Sequence, residues 1–147
     1  MGVAIRPLRQ ADRPGWEPLW QGYLDFYQTA LAPQVTEGTW ARLLQPETRI
    51  HGLGAFLDGG ERLVGIVHYL FHPVTWSLAD RCYLEDLFVA EEARGRGAGR
   101  ALIEAVYAAA DKEGADQVYW LTQDFNHDAR RLYDSLANLT PFIKYRR

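Results

Sequence analysis

Hydrophobic positions along this chain change period several times, and each change marks an element. Val3-Ala4-Ile5-Arg6 alternates as a first strand, ended near Pro7. From Asp12 to about Gln28 the rings of Trp16, Trp20, Tyr23, Phe26 and Tyr27 recur at helical spacing. That spacing predicts a helix capped by Asp12, with most of those aromatics in the core. Pro14 suits its first turn, while Pro18 predicts an irregular start or a kink. A second, short helix is expected over Glu37 to Leu44. The period then drops to two. Leu53 to Leu57 and Arg62 to Phe71 read as strands joined by Asp58-Gly59-Gly60, a hairpin. After a loop from His72 to Ser77, a strand is expected from about Ala79 to Val89, ended by the polar stretch from Glu91 to Arg96. Leu102, Ile103, Val106, Tyr107 and Ala110 form a one-sided stripe, so a helix is predicted from Gly97 to Glu113, stopped at Gly114. Gln117 to Thr122 reads as a strand, Asn126 as the cap of a helix through about Leu136, and Thr140 to Tyr145 as a last strand. The order β-α-α-β-β-β-α-β-α-β describes an α/β fold, a mixed sheet with helices on its faces.

Length and composition narrow the classes. A chain of 147 residues is most simply one domain, here 1–147, able to bury roughly two-thirds of its unfolded surface. A net charge of −3 argues against a general nucleic-acid binder, which would be basic, and leans toward cationic partners. The single cysteine, Cys82, excludes an internal disulfide and reads as a small buried hydrophobe. His51, His68, His72 and His127 are scattered, with no metal-ligand spacing, so no metal is expected. No apolar run approaches the ~20 residues of a membrane span, and the start lacks an apolar signal core. A soluble, cytoplasmic protein is the expectation.

Chemistry concentrates in Tyr83-Leu84-Glu85-Asp86-Leu87-Phe88-Val89 and the turn that follows, Arg94-Gly95-Arg96-Gly97-Ala98-Gly99. Glycines between a strand and a helix leave several backbone N–H groups free to converge on a phosphate, and the helix dipole adds to the attraction. Arg94, Arg96 and Arg100 beside that turn favour an anion. Two familiar phosphate loops are excluded. Gly99 is followed by Arg100 and Ala101 rather than Lys-Ser/Thr, and Arg100 or Leu102 stands where a dinucleotide fingerprint needs its third glycine. Adjacent acids in an otherwise apolar strand are costly unless they have work or partners. Glu85 and Asp86 point to opposite faces if the strand is regular, so one job for both is not expected.

Arg94-Gly95-Arg96-Gly97-Ala98-Gly99 resembles the Arg/Gln-x-x-Gly-x-Gly/Ala signature of the GNAT superfamily of acetyl-CoA-dependent N-acetyltransferases. Leu87-Phe88-Val89 before it and Asn126-x-x-Ala129-x-x-Leu132-Tyr133 after it strengthen the match, and the element order extends it over nearly the whole chain. The acidic strand is most similar to that of the diamine (spermidine/spermine) acetyltransferases and related small histone-acetyltransferase-like proteins. The resemblance implies a mostly antiparallel sheet whose acidic strand splays from its neighbour. It implies that the backbone of Leu87, Phe88 and Val89 bonds the pantetheine arm of acetyl-CoA, with Asn126 on the far side of the arm. The pyrophosphate would sit on backbone N–H groups from Gly95 through Arg100, and Tyr133 would lie near the thioester sulfur. It also implies a homodimer. One departure stands out: where relatives often have Gly-Phe before the last strand, this chain reads Ala137-Asn138-Leu139-Thr140-Pro141-Phe142.

Acetyl transfer to an amine needs a neutral amine, a donor for the developing oxyanion and a proton for the thiolate. A phenol of pKa ~10 stays protonated at neutral pH and can serve a thiol of pKa ~8.5, which suits Tyr133 as general acid. A backbone N–H near Val89 is the simplest oxyanion donor. An alkylamine of pKa ~10.4 must lose a proton first, at a cost of about 4–5 kcal/mol at pH ~7. Glu85 is the candidate that attracts the ammonium and accepts the proton, through water, with Asp86 supporting the site or pairing with an arginine. Tyr27, Phe26 and Trp76 are candidates to border the acceptor by cation–π contact. Direct attack in a ternary complex is favoured over an acetyl-enzyme, because no nucleophile with a base beside it lies in these motifs. The acceptor is a polyamine, another small amine or a lysine of a peptide. A catalytically weak acetyl-CoA sensor is the alternative reading.

Overall fold

The computed structural model describes residues 2–147. Its elements are β1 (Ala4–Pro7), α1 (Arg13–Phe26), α2 (Pro33–Leu44), β2 (Ile50–Leu57), β3 (Arg62–His72), β4 (Arg81–Val89), α3 (Ala98–Glu113), β5 (Val118–Tyr119) and α4 (His127–Leu136). The strands lie in sequence order across one sheet. β1 to β4 are antiparallel to their neighbours, and β5 runs parallel to β4. The architecture is the expected one, a mixed and mostly antiparallel sheet flanked by helices.

The sheet buries both faces. On one, Leu102, Ile103 and Val106 of α3 are fully enclosed against Ala55, Val67, Cys82 and Leu84. On the other, α1 and α2 bring Trp16, Leu19, Trp20, Leu24, Trp40 and Leu43 onto Ile66. The aromatic stripe of α1 is therefore core at Trp16 and Trp20. Phe26 is 49% exposed at the helix end, where the stripe runs off the sheet.

Four expectations need correction. Asp12 stands at the N-terminal boundary of α1 but makes no side-chain cap. Its carboxylate accepts from the Arg6 guanidinium at 2.8 and 3.0 Å and from the Arg9 N–H at 2.7 Å, because a short turn over Gln10–Asp12 carries it away from the helix. The expected strand from Gln117 to Thr122 pairs only at Val118 and Tyr119. Asn126 precedes α4 without a side-chain cap, and its Nδ2 points instead toward Thr122 Oγ1 at 3.5 Å. Thr140 to Tyr145 is not a strand. Residues 138–147 make no backbone hydrogen bond among the described residues, and Leu139, Phe142, Ile143 and Tyr145 are 74% to 89% exposed. The two-residue β5 offers too little edge to pair with, and Pro141 has no N–H to give.

Candidate active site

The short β5 creates the site. Cys82 and Tyr83 of β4 pair with Val118 and Tyr119, and there the two strands part. The β4 edge from Leu84 to Val89 has no strand partner on that side, so the backbone of Leu87 and Phe88 borders an open cleft. The Val89 carbonyl already accepts from Arg94 Nε at 3.2 Å. Across the gap the chain leads through Trp120 to α4. Trp120 packs 5.3 Å from the Tyr133 ring and 6.3 Å from that of Tyr107. An open depression of about 350 Å³ between the end of α1 and the start of α4 is lined by Phe26, Gln123, Phe125, Asn126, His127 and Asp128.

At one end of the cleft lies the glycine turn. Gly95 (φ +81°) and Gly97 (φ +83°) occupy the left-handed region, where a side chain is strained. A methyl on either would meet no atom within 4 Å, whereas one on Gly99 would stand 3.3 Å from Leu132 Cδ2. The turn is thus open on its outer side and closed against α4. From Gly95 through Arg100 no backbone N–H donates within the protein among the described residues. Six unspent donors at a helix start can serve an anion such as a phosphate. Of the arginines, Arg94 turns back over Phe88 and Arg100 reaches Ser135 Oγ at 2.8 Å, which leaves Arg96 exposed.

The acids stand at a bulge. Leu84 pairs with Tyr69 and Asp86 with His68, so Glu85 is the extra residue and the strand is not regular. The bulge lets β4 keep Cys82, Leu84, Leu87 and Val89 on the α3 face while Asp86 and Phe88 turn toward α1. Asp86 does not pair with an arginine. Its Oδ2 lies 3.0 Å from His68 Nδ1, and His68 Nε2 accepts the Trp16 indole N–H at 3.1 Å. Sequence reasoning missed both partners. The available signal was a histidine in the middle of the apolar run from Leu63 to Phe71, on the strand that pairs with the acids.

Electrostatics tie the two sides together. Desolvation by the surrounding atoms pushes the Glu85 carboxyl above its ordinary range, Asp86 adds to this, and the cations Arg42 and Lys144 oppose it. Burial raises the Tyr27 phenol and the charge of Asp86 adds to it. Burial raises Tyr133 to about 12, with Tyr27 contributing. Tyr27 therefore lies within electrostatic reach of both Asp86 and Tyr133. Tyr23, also raised by burial first and Asp86 second, stacks on Trp20 and meets the Tyr27 ring at a tilt, 5.0 Å away. Trp76 is not joined to this cluster: it is 81% exposed in the β3–β4 loop, beside Arg81. Cys82 is fully buried, and burial pushes its thiol up to about 11. Among the described residues no three metal-ligating side chains converge.

The model of the acetyltransferase (GNAT) family matches residues 6–137. The chain is 37% identical over 145 residues to the D-amino-acid N-acetyltransferase HPA3 of Saccharomyces cerevisiae, covering 99% of this chain and 90% of that protein. It is 36% identical over 78 residues to the thialysine N-epsilon-acetyltransferase of Bos taurus, covering 53% of this chain and 45% of that one. Among solved structures, the aminoglycoside N-acetyltransferase AAC(6')-Iy in complex with CoA superposes with a TM-score of 0.83 at 18% identity, over 99% of this chain and 93% of its own. That last likeness bears on the fold.

Proposed function

The chain belongs to the acetyltransferase (GNAT) family and is an acetyl-CoA-dependent N-acetyltransferase, and on that premise we propose that it acetylates the primary amine of a small molecule, or of a lysine side chain, by direct attack. The observation that carries this reading is the cleft between β4 and β5, with unspent N–H donors at one end and the Tyr133–Tyr27–Asp86–Glu85 cluster at the other.

In this reading the N–H groups from Gly95 through Arg100 hold the pyrophosphate with help from Arg96, and the backbone of Leu87 and Phe88 lines the pantetheine arm opposite Asn126. Bound acetyl-CoA supplies the acyl carbonyl and a thiolate leaving group. The N–H near Val89 is aimed at the oxyanion. A phenol near 12 gives its proton outright to a thiolate of ordinary pKa ~8.5 only at a cost of about 5 kcal/mol. Tyr133 therefore acts chiefly through a hydrogen bond that strengthens as charge gathers on sulfur. Glu85, with its carboxyl raised, is the better proton acceptor for the ammonium; Asp86 holds the charge of the acceptor.

An acid, Glu85, within electrostatic reach of Arg42 and Lys144 suits an acceptor that carries both an ammonium and a carboxylate, as an amino acid does. The name of the yeast relative, which acts on D-amino acids, supports that choice over a polyamine. We extend the proposal to a cytoplasmic homodimer. No described helix is long and apolar enough to cross a membrane, and the exposed apolar segment 138–147 offers a second copy a surface.

The test is Tyr133→Phe. The expected result is a fall in kcat on the order of 100-fold with unchanged CoA affinity by calorimetry. A variant as fast as the parent would remove Tyr133 from the chemistry.

A further inference from the structure

Beneath the acceptor side of the site runs a chain of buried polar groups. Trp16 is fully buried on α1, His68 is 2% exposed, and the Asp86 side chain is 15% exposed. An indole nitrogen can only donate, so His68 Nε2, 3.1 Å away, is the acceptor. The ring proton then sits on Nδ1 and is donated to Asp86 Oδ2 at 3.0 Å. A second proton on Nε2 would set two N–H groups head to head across 3.1 Å. The imidazole is thus held as its neutral tautomer. It orients the carboxylate without cancelling its charge. An imidazolium in the same place would leave a net-neutral pair with nothing to offer an ammonium.

We propose that Trp16 and His68 are positioning residues, a buried brace that presents Asp86 to the acceptor as an uncancelled carboxylate and so selects amines that arrive as cations. The identity of the ligand rests on the acetyl-transfer reading; the brace itself does not. Tyr23 of α1 and Tyr27 just past its end are neutral phenols within electrostatic reach of Asp86, Trp20 packs 5.4 Å from the His68 ring, and Glu85 adjoins on β4. The cations Arg42 of α2 and Lys144 bear on Glu85.

The first test needs no variant. Nitrogen-15 spectra of the ligand-free protein at neutral pH should show His68 with a protonated Nδ1 and a bare Nε2. A proton on Nε2 overturns the proposal. The second test is kinetic, with CoA binding as the check on folding. Trp16→Phe frees Nε2, and His68→Leu leaves Asp86 unbraced. Each should raise the KM of an alkylammonium acceptor about tenfold while kcat and the KM of a weakly basic aromatic amine stay near the parent values. His68→Gln, which is neutral and can still donate to Asp86, should restore most of the loss. Should Trp16→Phe not fold, the His68 pair decides. Variants that lose stability but keep the parent's preference for cations would reduce the brace to core packing. If no amine is acetylated at all, the reaction assignment fails, and the His68 nitrogen pattern with its response to added alkylammonium still judges the brace.

Discussion

Gly97→Ala separates the cost of backbone strain from the loss of a phosphate seat. Gly97 (φ +83°) precedes α3 and Gly114 (φ +75°) follows it, both in the left-handed region, and a methyl on either meets nothing within 4 Å. The strain of an alanine there is about 1–2 kcal/mol in each case, which lowers Tm by roughly 2–4 °C per kcal/mol for a chain of this size. Gly114→Ala should show that loss alone, since its N–H bonds back to Ala110 and Asp111 at the far end of the helix. Gly97→Ala disturbs the turn whose N–H groups are unspent. Misdirecting one charge-assisted bond costs about 1.5–3 kcal/mol, or roughly 10- to 100-fold in CoA affinity. Thermal melts and calorimetric CoA titrations of the pair read both quantities. Equal melts with weakened binding only in Gly97→Ala is the expected result. Parental CoA affinity in Gly97→Ala would refute the seat, and equal loss in both variants would make the effect global.

Cys82→Ala should keep full turnover, because the thiol is enclosed and pushed up to about 11; an acetyl label found on Cys82 by mass spectrometry would contradict direct attack. Alkaline titration of stability follows the same groups. Cys82 near 11 and Tyr83 and Tyr133 near 12 hold protons that the unfolded chain releases at pKa ~8.5 and ~10. Stability should be intact below about pH 8.5 and fall progressively toward pH 12, and urea midpoints that do not move across that window would contradict it. The acid limb of the rate should lie above the ordinary carboxylate pKa of ~4.3, because burial and Asp86 raise Glu85. In the proposed mechanism a protonated Glu85 cannot take the ammonium's proton, so the rate should fall as the pH falls, and Glu85→Gln should abolish that limb.

Periodicity carried the fold well wherever a long element buries one face. The stripe of α3, the β2–β3 hairpin and Trp16 and Trp20 of α1 packed into the core. It failed where tertiary context decides. Val118 and Tyr119 alone pair, because the chain leaves the sheet to reach Trp120 and α4, and the segment Thr140 to Tyr145, expected as a strand, finds no edge. Asp12 was drawn from its helix by Arg6, a contact no local rule anticipates. Around the cleft, the strand-to-helix glycine turn was legible because its residues are consecutive, and the helix that carries Tyr133 because its spacing is helical. The His68–Asp86 pairing was not, since it depends on a cross-strand register and on a bulge at Glu85 that turns Asp86 toward α1.

The most direct measurement of the central claim incubates the protein with acetyl-CoA and an equimolar mixture of a D-amino acid, a polyamine and a lysine peptide, and follows free thiol and acetylated products by mass spectrometry. One acetylated amine should form for each thiol released, with the amino acid preferred. Tight CoA binding with no acetylated amine from any of the three would contradict it.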